Sequence, residues 1–117
     1  MKLLIAEDES IIAMSLASQL KALGHEVVAL CQTGGDCVLK TAEEHPDAVF
    51  MDICMESERA GIEAAKLIRR SVGTPIVFCS AYDDPETRRL AGEVEAVAFV
   101  SKPFSKAALR QALEAIA

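Results

Sequence analysis

Long apolar runs are missing from this sequence of 117 residues. No stretch approaches the roughly 20 apolar residues that a membrane-spanning helix requires. The apolar segment at the start of the chain, residues 1–6, is also too short for the core of a secretory signal. These absences predict a cytoplasmic protein that does not associate with a membrane.

Clustered basic residues are missing as well. The chain has 12 Lys and Arg residues against 18 Asp and Glu residues, which gives a formal net charge of −6. Contacts with phosphate backbones depend on Lys and Arg side chains gathered on one surface. We therefore expect no direct binding of nucleic acid by this chain.

Paired cysteine motifs are the third absence, because no two of the four cysteines are separated by only two residues. The cysteines lie in apolar or helix-like segments, where a free cysteine behaves as a small hydrophobic residue. Disulfides are also rare in the cytosol. We predict reduced and mostly buried thiols at Cys31, Cys37, Cys54 and Cys79.

Five short apolar runs of strand length are present, at residues 3–6, 27–30, 48–51, 76–79 and 97–100. Runs that are apolar on both faces are typical of a parallel sheet covered by helices on each side. Helical patterns fill the gaps, and the third of them is expected over about residues 60–72. Strand and helix therefore alternate five times, which predicts one doubly wound α/β domain over residues 1–117.

Helix start and stop signals support this alternation. A glycine ends the first helical pattern, and a side chain that can cap a helix begins three others. The second start fits a capping box with Asp36, and the fourth has a proline at the first helical position. The signals are Gly24 after the first pattern, Thr33 before the second, Asp84 and Pro85 before the fourth, and Ser105 before the fifth.

Polar residues that can bind ligands or take part in reactions follow four of the five runs. They are Glu7, Asp8 and Glu9 after the first, Asp52 after the third, Ser80 after the fourth, and Ser101 and Lys102 after the fifth. Ligands of such sheets bind at the carboxyl ends of the strands. Two carboxylates about 4 Å apart repel by about 4 kcal/mol at an effective dielectric near 20. Oxygen ligands suit Mg2+, so we predict a magnesium site with Asp8 and Asp52 as direct ligands.

Asp52 can also act as a nucleophile toward phosphorus and form a temporary acyl phosphate. Phosphoryl transfer depends mainly on positioning and on positive charge around the transferred oxygens. Mg2+ and Lys102 would supply that charge, and the Ser80 hydroxyl could donate to a further oxygen. We therefore predict a phosphoryl acceptor at Asp52.

Five segments together resemble the receiver domain of two-component response regulators, and the resemblance covers essentially the whole chain. The segments are residues 3–9, 51–53, 61–65, 80–82 and 102–104. The resemblance implies a flavodoxin-like (βα)5 fold with a parallel sheet in the order 2-1-3-4-5. It also implies a signalling switch that catalyses only its own phosphorylation and dephosphorylation and is not an enzyme in the metabolic sense.

The resemblance further implies that a sensor histidine kinase or a histidine phosphotransfer protein phosphorylates Asp52. Mg2+, or Mn2+ in its place, is then bound by Asp8, by Asp52, by Glu7 through water and by the backbone carbonyl of Cys54. These four residues form the implied metal site.

Other residues receive implied roles in switching. Ser80 turns toward the phosphoryl group, Lys102 pairs with it, and the bond between Lys102 and Pro103 is cis. Phe99, at a position where the family often has Tyr, rotates inward. The fourth helix, fifth strand and fifth helix then form the surface that regulates an output domain or effector protein, and this surface is also the candidate contact of a homodimer.

The loop at residues 54–60 departs from the family pattern, because it lacks the usual proline after Met55 and is one residue longer. Its form resembles that of receivers joined to sensor or kinase modules. Cys54 and Tyr82 each lie two residues past a site residue. They flank the route of an attacking water, so we expect them to tune the lifetime of the phosphoryl group.

Three other classes of protein share the predicted architecture or phosphorylation chemistry. A haloacid-dehalogenase-like phosphotransferase needs a second Asp two residues after the nucleophile, where this chain has Cys54. A flavin-binding domain needs a phosphate-binding loop after the first strand, where the three consecutive acids at residues 7–9 would repel phosphate. A degenerate receiver that acts only in protein contacts would not need the full set of phosphorylation residues.

Overall fold

Five parallel strands and five helices alternate along residues 1–117, all of which the computed structural model describes. The strands are β1 (Lys2–Ala6), β2 (Glu26–Cys31), β3 (Ala48–Asp52), β4 (Ile76–Ser80) and β5 (Ala98–Ser101). The helices are α1 (Ser10–Ala22), α2 (Gly34–Glu44), α3 (Ala60–Ser71), α4 (Pro85–Glu93) and α5 (Lys106–Ile116). The sheet order is β2-β1-β3-β4-β5, so the predicted fold and strand order are confirmed.

The core is divided into two layers, one on each face of the sheet. Successive side chains of a strand point to opposite faces, and β3 shows this directly. Val49 and Met51 pack with buried residues of α2, α3 and α4, whereas Ala48 and Phe50 pack with those of α1 and α5. Every residue of β3 and β4 is buried, as expected of runs that are apolar on both faces.

The two edge strands are less covered than their apolar composition suggests. In β2, Leu30 is 48% exposed, and Val27 and Val28 of the same strand are only partly buried. Val97 was expected in the fifth strand but lies just before β5 and is 38% exposed. An edge strand has a neighbour on one side only, so apolar composition alone does not guarantee burial there.

The predicted helix starts are confirmed by side-chain caps. Thr33 Oγ1 accepts from the N–H of Asp36, Asp84 Oδ2 from Thr87, and Ser105 Oγ from Ala108, at 3.1, 3.2 and 3.1 Å. The reciprocal bond from Asp36 that would complete a capping box is absent. Gly24 has φ +93°, a left-handed conformation that favours glycine after a helix.

All four cysteines are free, and three of them are buried, as predicted; Cys54 is partly exposed. The helices are too short or too polar for any of them to cross a bilayer.

Parallel pairing brings the strand ends together at one edge of the sheet. Ala6 of β1 is level with Met51 of β3, so the residues that follow each strand lie side by side. Asp52 at the end of β3 is level with Cys79, the residue before the end of β4. The polar residues that follow β1, β3, β4 and β5 therefore face one region, as the strand-end argument requires.

Candidate functional site

Three carboxylates converge at the carboxyl edge of the sheet. One oxygen from each of Glu7, Asp8 and Asp52 lies within 4.8 Å of the other two. Glu7 is 3% exposed and Asp52 is 7% exposed, whereas Asp8 faces solvent. The acidic group is therefore buried at its base and open on the side of Asp8.

Lys102 lies among these acids. Its Nζ donates to Asp52 Oδ2 at 3.2 Å and also to Glu7 Oε1. Its backbone N–H donates to the carbonyl of Ser80 at 2.9 Å, which holds Lys102 beside the end of β4. The peptide bond between Lys102 and Pro103 is cis. One ammonium cannot balance three carboxylates, so the site retains an excess of negative charge.

Burial and the neighbouring charged groups shift the pKa of each acid. Burial, together with the nearby Glu7 carboxylate, raises the pKa of Asp52 to about 7 although Lys102 opposes the shift. Burial and the Glu7 carboxylate also raise the pKa of Asp8. Burial alone would raise the pKa of Glu7, but hydrogen bonds from Lys102 and the Glu9 amide outweigh it and the pKa is lowered. Glu7 is thus the most firmly ionised of the three.

Glu7 is held in place from two directions. Its N–H donates to the carbonyl of Cys31 at 2.8 Å, which extends the pairing between β1 and β2 past the end of β1. Its Oε2 accepts from the N–H of Glu9 at 3.1 Å. Glu7 therefore presents a fixed carboxylate, and the side chain of Lys102 orients toward it.

Ser80 is buried at the end of β4, with 1% of its surface exposed. Its Oγ accepts from the N–H of Tyr82 at 3.0 Å and makes no hydrogen bond to the three carboxylates or to Lys102. The structure therefore brings Ser80 to the same edge of the sheet without joining it to the acidic group. The Tyr82 side chain is 63% exposed.

Cys54 lies in the loop that follows Asp52. Its Sγ donates to the carbonyl of Glu58 at 3.1 Å, and its own carbonyl oxygen receives no hydrogen bond from the protein. A backbone oxygen two residues past Asp52 is thus available to a ligand.

Phe99 lies on β5, apart from the acidic group. The ring is partly buried, and the guanidinium carbon of Arg88 in α4 is 4.1 Å from its centroid. A cavity of about 220 Å³ lies beside the ring, between α4 and β5.

Gly61 allows the start of α3 to approach the backbone of Asp52 closely, a role that the sequence motif did not reveal. A Cβ atom at this position would lie 1.9 Å from the carbonyl oxygen of Asp52 and 2.7 Å from Cα of Ile53. The Gly61 N–H donates to the carbonyl of Ile53 at 2.8 Å. The start of α3 therefore rests directly on the backbone of Asp52, and only glycine fits.

The donor set fits a hard divalent cation. All candidate ligands are oxygen atoms. Burial and, after it, the Glu7 carboxylate raise the pKa of Asp52 and Asp8, and a bound cation would favour the ionised form of both acids. Mg2+ prefers carboxylates and keeps several waters, which suits a group open to solvent at Asp8. Cys54 could add its free carbonyl.

Comparison with known proteins decides the family. A family model described as the response regulator receiver domain matches residues 3–114. This chain belongs to that family. The receiver domain is 40% identical over 114 residues to the transcriptional regulatory protein PdtaR of Mycobacterium tuberculosis. This alignment covers 97% of the chain and 55% of that protein. It is 34% identical over 108 residues to the phyllosphere-induced regulator PhyR of Methylorubrum extorquens, covering 91% of the chain and 39% of that protein.

Solved structures agree with this family and fold. The signal receiver domain of a modulated diguanylate cyclase from Desulfovibrio desulfuricans matches with a TM-score of 0.87 and 28% identity, over 97% of this chain and 90% of that one. The response regulator domain of Thermotoga maritima CheB matches with a TM-score of 0.88 and 26% identity, over 99% and 96%. The receiver domain spans about half or less of the length of the two curated relatives.

Proposed function

We propose that this receiver domain is a phosphorylation-activated signalling switch and that Asp52 accepts the phosphoryl group. The main support is the burial of Asp52 beside two further carboxylates, with the Lys102 ammonium 3.2 Å away. Groups with strongly shifted pKa values concentrate at functional sites, because burying and crowding charged groups destabilises a fold and is retained where function requires it.

In the proposed reaction, a carboxylate oxygen of Asp52 attacks the phosphorus of a phosphohistidine on a sensor histidine kinase or a histidine phosphotransfer protein. A phosphorus–oxygen bond forms and the phosphorus–nitrogen bond breaks. The released electron pair stays on the donor imidazole, which takes up a proton from solvent. Hydrolysis later returns the carboxylate: water attacks the phosphorus and inorganic phosphate leaves. The domain catalyses only these two steps on itself.

The residues that would hold Mg2+, or Mn2+ in its place, are Asp8, Asp52, the carbonyl of Cys54 and, through water, Glu7. When bound, the metal would neutralise charge on the acids and on the phosphoryl oxygens. Lys102 supports the same step, because its ammonium already reaches Asp52 and would stay close to a phosphoryl group on that side chain. The fixed carboxylate of Glu7 keeps Lys102 in this position.

Ser80 is the proposed link between the phosphoryl group and the rest of the domain. Its oxygen accepts from Tyr82, which leaves the hydroxyl proton free to donate to a phosphoryl oxygen. A phosphoryl group adds about −1.5 to −2 charge and favours the conformation that satisfies its oxygens. The movement of Ser80 would then allow Phe99 to turn inward. Cys54 and Tyr82 would tune the lifetime through access of water.

We assign the readout to the surface formed by α4, β5 and α5, which an output domain or effector protein would recognise in the cytoplasm. The names of PdtaR and PhyR describe regulators, and both proteins extend well beyond the matched part. This supports an output outside the receiver domain, which itself would not bind nucleic acid. The same surface is the proposed contact of a homodimer.

The test is to incubate the protein with acetyl phosphate and Mg2+ and to measure its intact mass. We expect the mass of one phosphoryl group on the wild type and none on Asp52→Asn. Asp36→Asn is a suitable control, because Asp36 is an exposed acid in the first turn of α2. This variant should be labelled like the wild type.

An unlabelled wild type would contradict the proposal and favour a degenerate receiver that acts only in protein contacts. A label that persists in Asp52→Asn would contradict the assignment of the acceptor. Replacing Mg2+ by EDTA should also prevent labelling, since the acids would then remain uncompensated.

A further inference from the structure

The loop between β3 and α3, residues 53–59, has neither glycine nor proline. Its shape therefore depends on hydrogen bonds rather than on residues with special backbone preferences. The base of the loop is closed by the bond from Gly61 N–H to the carbonyl of Ile53 at 2.8 Å.

Glu56 joins this loop to a different element. Both of its carboxylate oxygens accept from the N–H of Gly34, at 2.9 and 3.0 Å. Gly34 is the first residue of α2, where backbone N–H groups have no partner within the helix. A carboxylate is favoured at this end by the helix dipole as well as by the hydrogen bond.

The start of α2 is a rigid support for this contact. A Cβ atom at Gly34 would lie 2.9 Å from the carbonyl oxygen of Ala60 and 3.2 Å from Cβ of Ala64, so α2 is pressed against the first turn of α3. The cap from Thr33 to Asp36 fixes the same turn of α2. Glu56 is therefore bound to a part of the molecule that has little freedom to move.

Within the loop, the backbone folds back around Glu56. The N–H of Met55 donates to the carbonyl of Ser57 at 3.1 Å. The N–H of Met55 and the carbonyl of Cys54 belong to one planar peptide unit, so fixing one fixes the direction of the other. Glu56 lies between the two bonded residues, and its attachment to α2 holds the turn that orients this peptide.

We propose that Glu56 is a positioning residue for the divalent metal: by binding the N-terminus of α2, it fixes the peptide that offers the Cys54 carbonyl to the cation. This inference rests on the proposed function, because it assumes that the Asp52 site binds a metal. Glu56 itself does not contact the metal. Partners that orient ligands in this way typically change metal affinity by about 10- to 100-fold.

The experiment measures Mg2+ affinity by isothermal titration calorimetry for the wild type, Glu56→Ala and Glu56→Gln. Glu58→Ala is the matched control, because Glu58 is an exposed acid of the same loop whose side chain makes no hydrogen bond. We expect about a 10-fold loss for Glu56→Ala, at the low end for such partners. Glu56→Gln keeps one oxygen acceptor for Gly34 and should lose less. Glu58→Ala should change the affinity by under about 2-fold, since it removes only a screened charge.

A second measurement does not depend on the metal. Amide hydrogen exchange of Gly34 and Met55, followed by NMR without Mg2+, should be faster in Glu56→Ala than in the wild type and unchanged in Glu58→Ala. Circular dichroism melting establishes that each variant is folded at the temperature used. Glu56→Gln provides the comparison at constant size if Glu56→Ala does not fold.

Equal losses of affinity in Glu56→Ala and Glu58→Ala would overturn the inference, because the effect would then be one of charge alone. An unchanged affinity in Glu56→Ala would overturn it as well. Both results leave the proposed function intact if acetyl phosphate labels the wild type. A wild type that is not labelled contradicts the proposed function, and a wild type that binds no Mg2+ contradicts both.

Discussion

The guanidinium of Arg88 stacks over the ring of Phe99, with 4.1 Å between its central carbon and the ring centroid. The same guanidinium donates to both carboxylate oxygens of Asp83, and Ser101 donates to one of these oxygens at 3.4 Å. The N-terminal half of α4 is thereby connected to the end of β5. Phe99 must leave this stack if it turns inward, so Arg88 opposes the proposed switch.

Arg88→Ala should therefore favour the phosphorylated form. A cation–π contact at an exposed site contributes about 0.5–1 kcal/mol, which corresponds to a change of about 2- to 5-fold in the equilibrium between the two conformations. We expect a larger labelled fraction at limiting acetyl phosphate, measured by intact mass. Arg89→Ala is the control, since Arg89 pairs with Glu86 and Glu93 but contacts no ring. Equal effects of both variants would contradict this role of Arg88.

Asp52 should lower the stability of the metal-free protein at neutral pH. Its pKa rises from 3.8 to about 7 on folding, chiefly through burial, so the folded state favours the protonated acid. Well below the unfolded pKa of 3.8 the acid is protonated in both states, and the folded state bears no cost of burying a carboxylate. Between about pH 4 and 7 the unfolded state releases the proton first, so the free energy of unfolding falls as pH rises.

Asp52→Asn removes this dependence on pH. At pH 8 in EDTA we expect the variant to exceed the wild type by about 1–3 kcal/mol in free energy of unfolding, after allowance for solvent screening. At pH 4 the difference should be much smaller, because the unfolded state has only begun to release the proton. Urea unfolding at both pH values measures it, and a difference that does not change with pH would rule out titration of Asp52 as the cause.

Mg2+ should raise the melting temperature of the wild type. A ligand that binds only the folded state stabilises it by about 2.7 kcal/mol when present at 100 times its Kd. The shift should be smaller at pH 6 than at pH 8, because protons compete for Asp52, whose pKa is about 7. Asp8→Asn should reduce the shift. Sodium chloride at the same ionic strength is the control, and an equal shift with it would mean general screening rather than a metal site.

Sequence patterns predicted the parts of this domain that depend on local chemistry. Thr33, Asp84 and Ser105 were predicted as helix caps because capping involves residues only three positions apart. The gathering of Glu7 and Asp52 was predictable too, because parallel strands must end at the same edge of the sheet. Both inferences need only the order of the elements.

Contacts between distant side chains could not be predicted in this way. Lys102 is 95 residues from Glu7 and 50 from Asp52, and no periodicity indicates that one ammonium is shared by both acids. The bond between Glu56 and Gly34 likewise depends on how the loop after β3 packs against α2. Such contacts are set by the packing of whole elements, and their sequence signal is limited to the residue types involved.

Gly61→Ala should disturb the acceptor itself. The new Cβ would lie 1.9 Å from the carbonyl oxygen of Asp52, so α3 or the end of β3 must shift. Forced insertion of a methyl group typically costs about 1–3 kcal/mol. We expect a loss of this size in urea unfolding, together with slower labelling of Asp52 by acetyl phosphate under conditions where the variant is fully folded.

Gly92→Ala is the matched control for this prediction. Gly92 lies within α4, and a Cβ there would meet no atom within 4 Å. Alanine has a higher helix propensity than glycine by about 0.8–1 kcal/mol, so this variant should be more stable than the wild type and should be labelled normally. If Gly61→Ala behaved like Gly92→Ala, the start of α3 would not constrain the backbone of Asp52, and the close approach at Gly61 would have no part in positioning the acceptor.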